Sequence, residues 1–239
     1  MRDMAIATSE EIVTGLADRL ARVQEAVAAA ARRAGRAPEE ITIVGVTKTV
    51  DRATVDEAYR LGLRHFGENR VQVARAKFAT PLPPDATLHL IGQLQTNKAR
   101  HAVMLFDIIE SVDRQSLVDE LERQAAKLGR VVPVLLEVNV AGEEQKAGCT
   151  PEEAPALVAQ IERCQHLQLR GLMTMAPLVS DPEETRPVFR RLRELRDELC
   201  RERPGRELSV LSMGMTNDYP VAIEEGATHV RIGRAIFGG

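Results

Sequence analysis

Ile41-Thr42-Ile43-Val44-Gly45-Val46-Thr47 is an apolar, β-branched run that ends on Lys48. Without a charge along its length, it reads as a strand covered on both faces, as in parallel sheets. A lysine at the C-terminal end of such a strand stands where barrels and open α/β sheets present their chemistry. There a partly desolvated ammonium gives up its proton more readily, and the neutral amine attacks aldehydes to form a Schiff base. A lysine that merely snorkels from a strand end into solvent satisfies the same position. The rest of the chain has to separate the two.

Outward from this run, short apolar segments alternate with helical ones. Strands are predicted over Ile41 to Lys48, Arg64 to Gly67, Thr87 to Gly92 and Ile108 to Val112, then over Val131 to Val140, Leu167 to Met173, Leu208 to Met213 and Thr228 to Gly233. Eight strands separated by helices predict an α/β fold, a single (β/α)8 TIM-type barrel, with an open doubly wound sheet as the alternative. Ahead of it, Ser9 to Ala34 repeats Ile12, Leu16, Leu20, Val23 and Val27 at helical spacing and stops at Gly35. The expected organisation is one domain, a leading helix in 1–37 and a barrel over 38–239. Helix starts are signalled by Thr8 with Glu11, Thr54 with Glu57, Thr150-Pro151-Glu152-Glu153 and Asp181-Pro182-Glu183-Glu184.

Composition narrows the function. The 239 residues are 44% hydrophobic and 28% charged, enough for a sizeable core, and a net charge of -3 argues against a nucleic-acid partner. Arg186, Arg190, Arg191, Arg193 and Arg196 alternate with glutamates and read as a solvated helix face. Cys149, Cys164 and Cys200 are odd in number and widely spaced, which offers no metal site and suits a reducing compartment. Neither a signal peptide nor a membrane span is supported, so a cytoplasmic location is expected. The expected assembly is a monomer or weak dimer.

If the barrel reading holds, the C-terminal strand ends converge on one mouth, and they are polar. They comprise Lys48, Gly67-Glu68-Asn69, Gly92-Gln93-Leu94-Gln95-Thr96-Asn97-Lys98, Ser212-Met213-Gly214-Met215-Thr216-Asn217-Asp218 and Arg231-Ile232-Gly233-Arg234. Glycines at 214 and 233, with the hydroxyls of Ser212 and Thr216 and the guanidinium of Arg234, predict a phosphate cradle after the last two strands. Strand alternation sends Val230 and Ile232 toward the helices and Arg231 into the barrel. Buried there, Arg231 needs an acceptor, either an internal carboxylate such as Glu137 or Glu68, or a ligand atom. The residues alone leave both open. His65, His89, His101, His166 and His229 show no metal-ligand spacing and read as satisfied histidines, with His89 and His229 on strands that could border the site. Leu172-Met173-Thr174-Met175-Ala176-Pro177 reads as packing, with Thr174 close to the mouth.

The combination Val46-Thr47-Lys48, Phe66-Gly67-Glu68-Asn69, Ile91-Gly92-Gln93-Leu94-Gln95-Thr96-Asn97-Lys98, Arg170-Gly171-Leu172-Met173, Ser212 to Asp218 and Val230-Arg231-Ile232-Gly233 resembles the pyridoxal phosphate homeostasis family (YggS/PROSC). The resemblance spans Ile41 to Gly238. It implies a fold type III barrel like the N-terminal domain of alanine racemase, with pyridoxal 5′-phosphate (PLP) held as a Schiff base on Lys48. It also implies Ser212, Gly214, Thr216 and Gly233 around the phosphate, Arg231 facing the pyridine nitrogen and Asn69 near the cofactor. Arg234 departs from the family, which usually has a small hydroxyl residue there.

Three functions compete. The first is a PLP carrier or buffer, with little or no catalysis, that passes PLP to apoenzymes. The second is a weak PLP-dependent amino-acid racemase. The third is a cofactor-free Schiff-base aldolase. A guanidinium facing the pyridine nitrogen donates and cannot stabilise a pyridinium, which leaves PLP a weak electron sink. A racemase also needs an acid opposite the lysine, and the only tyrosines are Tyr59 and Tyr219. The carrier is therefore the expected function.

Overall fold

The computed structural model describes residues 9–143 and 145–238. The chain runs α1 (Ser9–Arg33), β1 (Thr42–Val46), α2 (Arg52–Arg60), β2 (His65–Glu68), α3 (Val71–Lys77), β3 (Thr87–Leu90), α4 (Ala99–Leu105), β4 (Ile108–Val112) and α5 (Gln115–Leu128). It continues with β5 (Val132–Glu137), α6 (Ala154–Ile161), β6 (Leu167–Met173), α7 (Arg186–Glu202), β7 (Val210–Ser212), α8 (Tyr219–Glu224), β8 (His229–Ile232) and α9 (Arg234–Phe237). The strands are parallel and close into a barrel in chain order, with β8 returning to β1 through Thr42 opposite His229 and Val44 opposite Arg231. The barrel and its leading helix are thus as the alternating pattern predicts, and the open sheet is excluded.

Outward-facing strand residues pack beneath the helices. Gly45, for example, leaves room for Leu63 and the ring of Phe237. The apolar stripe of α1 is buried at Leu16, Leu20, Val23 and Val27. Arg19 Nε donates to Ile236 O at 2.7 Å and Arg36 Nη1 to Ala227 O at 2.7 Å, tying the leading segment to α9 and to the loop between α8 and β8. Inside the barrel, Ile108, Leu135, Met173 and Val210 form a separate apolar cluster. Polar residues share the interior with them, including His65, His89, His229, Glu110, Ser212 and Arg231. That division matters for the site.

Several local expectations are corrected. The strands are shorter than the apolar runs, so Lys48 and Gly92 lie in the loops beyond β1 and β3. Helix α2 is capped by Asp51 rather than by Thr54. Asp51 Oδ1 accepts from the Thr54 amide at 2.9 Å and from its hydroxyl at 2.7 Å. Thr150 and Glu153 do exchange hydrogen bonds reciprocally, one turn ahead of α6. The Thr8–Glu11 box and the Ile12 side chain lie outside the described residues. The arginines of α7 are not simply a solvated face, since Arg186, Arg190 and Arg193 converge on buried Glu225 at 2.9 to 3.2 Å. Burial pushes the thiol of Cys149 up to about 12 and that of Cys164 up to about 11, so neither is a ready nucleophile. Among the described residues no helix is long and apolar enough to cross a membrane, and no His/Cys/Asp/Glu group could hold a metal ion.

Candidate functional site

The C-terminal mouth of the barrel opens into a cavity of about 1180 Å³. That exceeds the usual range for small-ligand sites, roughly 300–1,000 Å³. Six of the eight predicted site residues line it: Lys48, Asn69, Thr216, Arg231, Gly233 and Arg234. Ser212 and Gly214 do not.

Lys48 stands exposed in the turn after β1, so the expected desolvation of a strand-end amine is not met. What places it is Thr47, fully buried, whose amide donates to Gly67 O at 2.9 Å and whose hydroxyl donates to Glu68 Oε1 at 2.7 Å. Lys77 closes the arrangement by donating to Thr47 O and to Glu68 Oε1. Asn69 reaches the rim because its backbone crosses Gly92 closely. A Cβ at position 92 would fall 2.3 Å from Asn69 O, so only glycine fits.

The loops after β7 and β8 are zipped together. Arg231 N donates to Gly214 O at 2.9 Å, Ala235 N to Thr216 Oγ1 at 3.5 Å, and Arg234 Nη2 to Asn217 Oδ1 at 3.4 Å. Gly214 shapes this turn from behind: its φ is +92°, and a Cβ would meet Ala222 and Tyr219. Arg234 is exposed and reaches along the rim to Asn217. Asp218, absent from the predicted set, lines the wall with a carboxyl raised by burial, and its Oδ1 accepts from Met215 N at 2.6 Å.

Arg231 is 3% exposed and forms part of the cavity floor. Its acceptors are neither Glu137 nor Glu68. Nη1 donates to Ser212 Oγ at 2.6 Å and Nη2 to the carbonyl of Thr174 at 2.8 Å. Ser212 is therefore a partner of Arg231 below the floor rather than a wall of a cradle, and its own proton goes to Glu110 Oε2 at 2.5 Å. Glu110 Oε1 accepts from His89 Nδ1 at 2.6 Å, and His89 Nε2 lies 3.0 Å from His65 Nδ1. Burial pushes the Glu110 carboxyl up, but the bonds and charges of His89, Arg231 and Ser212 outweigh it and hold it down to about 2. Burial holds His65 and His229 down to about 4, so both are neutral at pH 7. These histidines sit at or near the strand starts and are satisfied groups of the barrel base.

Sequence reasoning missed Glu110, although a charge inside Ile108-Ile109-Glu110-Ser111-Val112 signals a paired interior group. It also misjudged the segment after β6. The hydroxyl of Thr174 turns away to Val138 O at 2.7 Å, while Met175, Pro177 and Leu178 supply an apolar cavity wall. Neither tyrosine lines the cavity: Tyr59 bonds Asp85 on the outside and Tyr219 is buried at the start of α8.

Residues 19–239 match the alanine racemase N-terminal domain family. The chain is 45% identical over 221 residues to the pyridoxal phosphate homeostasis protein of Aquifex aeolicus, covering 92% of this chain and 96% of that protein. It is 40% identical to the Pseudomonas aeruginosa protein of the same name, over 93% of this chain and 95% of that one. Among solved structures, PipY of Synechococcus elongatus with PLP bound superposes with a TM-score of 0.81 at 41% identity, covering 93% of this chain and all of that one.

Proposed function

Because the chain belongs to the pyridoxal phosphate homeostasis family, built on the alanine racemase N-terminal barrel, we propose that it holds PLP at this mouth and serves PLP homeostasis as a carrier or buffer. One observation carries the reading. A guanidinium has five N–H donors, and Arg231 spends two of them on Ser212 and Thr174. A buried cation on a cavity floor with donors to spare calls for an acceptor delivered from the cavity, and a pyridine nitrogen is such an acceptor.

Bound PLP supplies an aldehyde that bonds reversibly to amines and a ring that draws electrons from the bonded carbon. Lys48, held through Thr47, Glu68 and Lys77, presents its amine to that aldehyde and forms the covalent link. Thr216, the Gly233 backbone and Arg234 bind the phosphate, and Asn69 lies beside the cofactor. Gly214 acts indirectly by turning the loop, and Ser212 acts by holding Arg231. Arg231 donates to the ring nitrogen and keeps a proton off it.

Catalysis is slight on this reading. No tyrosine reaches the cavity among the described residues, and an open mouth lets water screen the charges that turnover would have to stabilise. The same openness lets PLP leave for recipient apoenzymes in the cytoplasm. The test is to mix the PLP-loaded protein with a PLP-dependent apoenzyme and, separately, with L- and D-alanine in heavy water. Activation of the apoenzyme, with α-proton exchange no faster than with free PLP, is expected. Racemisation at enzyme-like rates that depends on Lys48 would replace the carrier with a racemase.

A further inference from the structure

Arg231 carries its charge inside the barrel, and among the described residues no carboxylate oxygen hydrogen-bonds it directly. Among those residues its one hydrogen-bonded route to a carboxylate runs through a hydroxyl. Ser212 has a single proton, which it gives to Glu110 Oε2, so the lone pairs of Oγ are left facing Arg231 Nη1. Glu110 is fully buried, as is Ser212, and neither has water to turn to. Glu110 is in turn fixed from the other side by His89, itself 1% exposed.

Other acids near Arg231 do not do this. Among the described residues Glu137 Oε2 has no partner, and burial, with Asp113 and Glu110 adding to it, raises its carboxyl to about 7. Asp218 is occupied by the Met215 amide. Two tethers on two nitrogens, Ser212 Oγ and Thr174 O, fix the plane of a rigid guanidinium, and only the first depends on a charge.

We propose that Glu110 is the positioning residue for Arg231: acting through Ser212, it holds the guanidinium so that its unused N–H groups meet the ring nitrogen of the bound cofactor. This rests on the reading of the cavity as a PLP site. It gives Ser212 a different task from phosphate binding and gives the His89–Glu110 pair a role that neither could perform from the cavity wall.

The experiment compares PLP with its 1-deaza analogue, in which the ring nitrogen is replaced by C–H, on the full chain and on the variants Glu110→Gln and Ser212→Ala. The natural protein is expected to prefer PLP by roughly tenfold or more, the value of one hydrogen bond from a charged donor. In both variants that preference should shrink toward one, while affinity for the deaza analogue stays within about threefold. A merely structural role would weaken both ligands by the same factor and leave the preference intact, and that result would overturn the proposal. Circular dichroism and thermal melting check folding. If Glu110→Gln does not fold, Ser212→Ala, which removes one buried hydroxyl, decides alone. A natural protein that binds both ligands equally would refute the placement of Arg231, and one that binds neither would refute the cofactor reading itself.

Discussion

Lys77 Nζ donates to the carbonyl oxygen of Thr47 at 2.6 Å, fastening the backbone one residue before Lys48. The same ammonium pairs with Glu68 Oε1 at 2.7 Å, and the two side chains are only 8% and 1% exposed. Lys48 is free in solvent, so the direction of its amine is set by what holds Thr47. Among the described residues Glu68 Oε2 has no hydrogen-bond partner, which makes the remaining contacts of this carboxylate the more costly to lose.

Lys77→Met should therefore be strongly destabilised, by about 3–5 kcal/mol, because it strands a buried carboxylate. Adding Glu68→Gln should recover part of that loss. Denaturant unfolding measures both. A Lys77→Met chain as stable as the natural one would show that the pair does not anchor the loop.

The phosphate should contribute much of the affinity. Pyridoxal, lacking it, should bind at least roughly tenfold more weakly than PLP, since each hydrogen bond to a charged group is worth about 1.5–3 kcal/mol. Arg234 is exposed and turned toward Asn217, so Arg234→Ser should retain binding, with the hydroxyl replacing the guanidinium. Fluorescence or absorbance titration with both vitamers checks this. Equal affinities would remove the cradle.

Glu137 makes a pH-dependent contribution of known sign. Burial raises its carboxyl from about 4.5 unfolded to about 7 folded, with Asp113 and Glu110 adding and Arg231 opposing. Its contribution is full below pH 4.5 and is lost as pH rises through 7, where a charge must be buried. Glu137→Gln should thus be more stable than the natural chain at pH 8, on the order of 2 kcal/mol, with the gain vanishing toward pH 4.5. Chemical denaturation across pH 4.5–8 tests it. A gain that grows on the acid side would contradict the assignment.

The sequence made the barrel and most of the mouth legible because both are local signals. The run ending at Lys48 is a continuous apolar segment, the glycines at the strand ends are local composition, and the inward direction of Arg231 follows from period-two alternation. What Arg231 touches could not be read that way. Ser212 and Glu110 are 102 residues apart and meet only because β4 and β7 face each other across a closed barrel. Its position at the end of a strand placed Ser212 near the site, but whether its hydroxyl points up to a ligand or sideways to a carboxylate depends on that closure. The Asp51 cap was missed for a simpler reason: Thr54 offered an equally good local pattern, and the helix starts two residues before it. Met175 and Pro177 read as packing in the sequence yet form a cavity wall together with Leu178, since composition does not distinguish a covered residue from one that covers a cavity. Leu178 is 83% exposed.

Covalent attachment of PLP at Lys48 can be tested on the whole protein by reduction and peptide mapping. The protein is incubated with PLP, reduced with borohydride, digested and mapped by mass spectrometry. A visible absorbance band before reduction, its loss on reduction, and a pyridoxyl adduct on the peptide carrying Lys48 at near-full occupancy are expected. In Lys48→Ala the band should be lost or leave only a weak remnant on a second amine such as Lys98. An undiminished, reducible band in Lys48→Ala, with the adduct mapped to another lysine, would contradict the account.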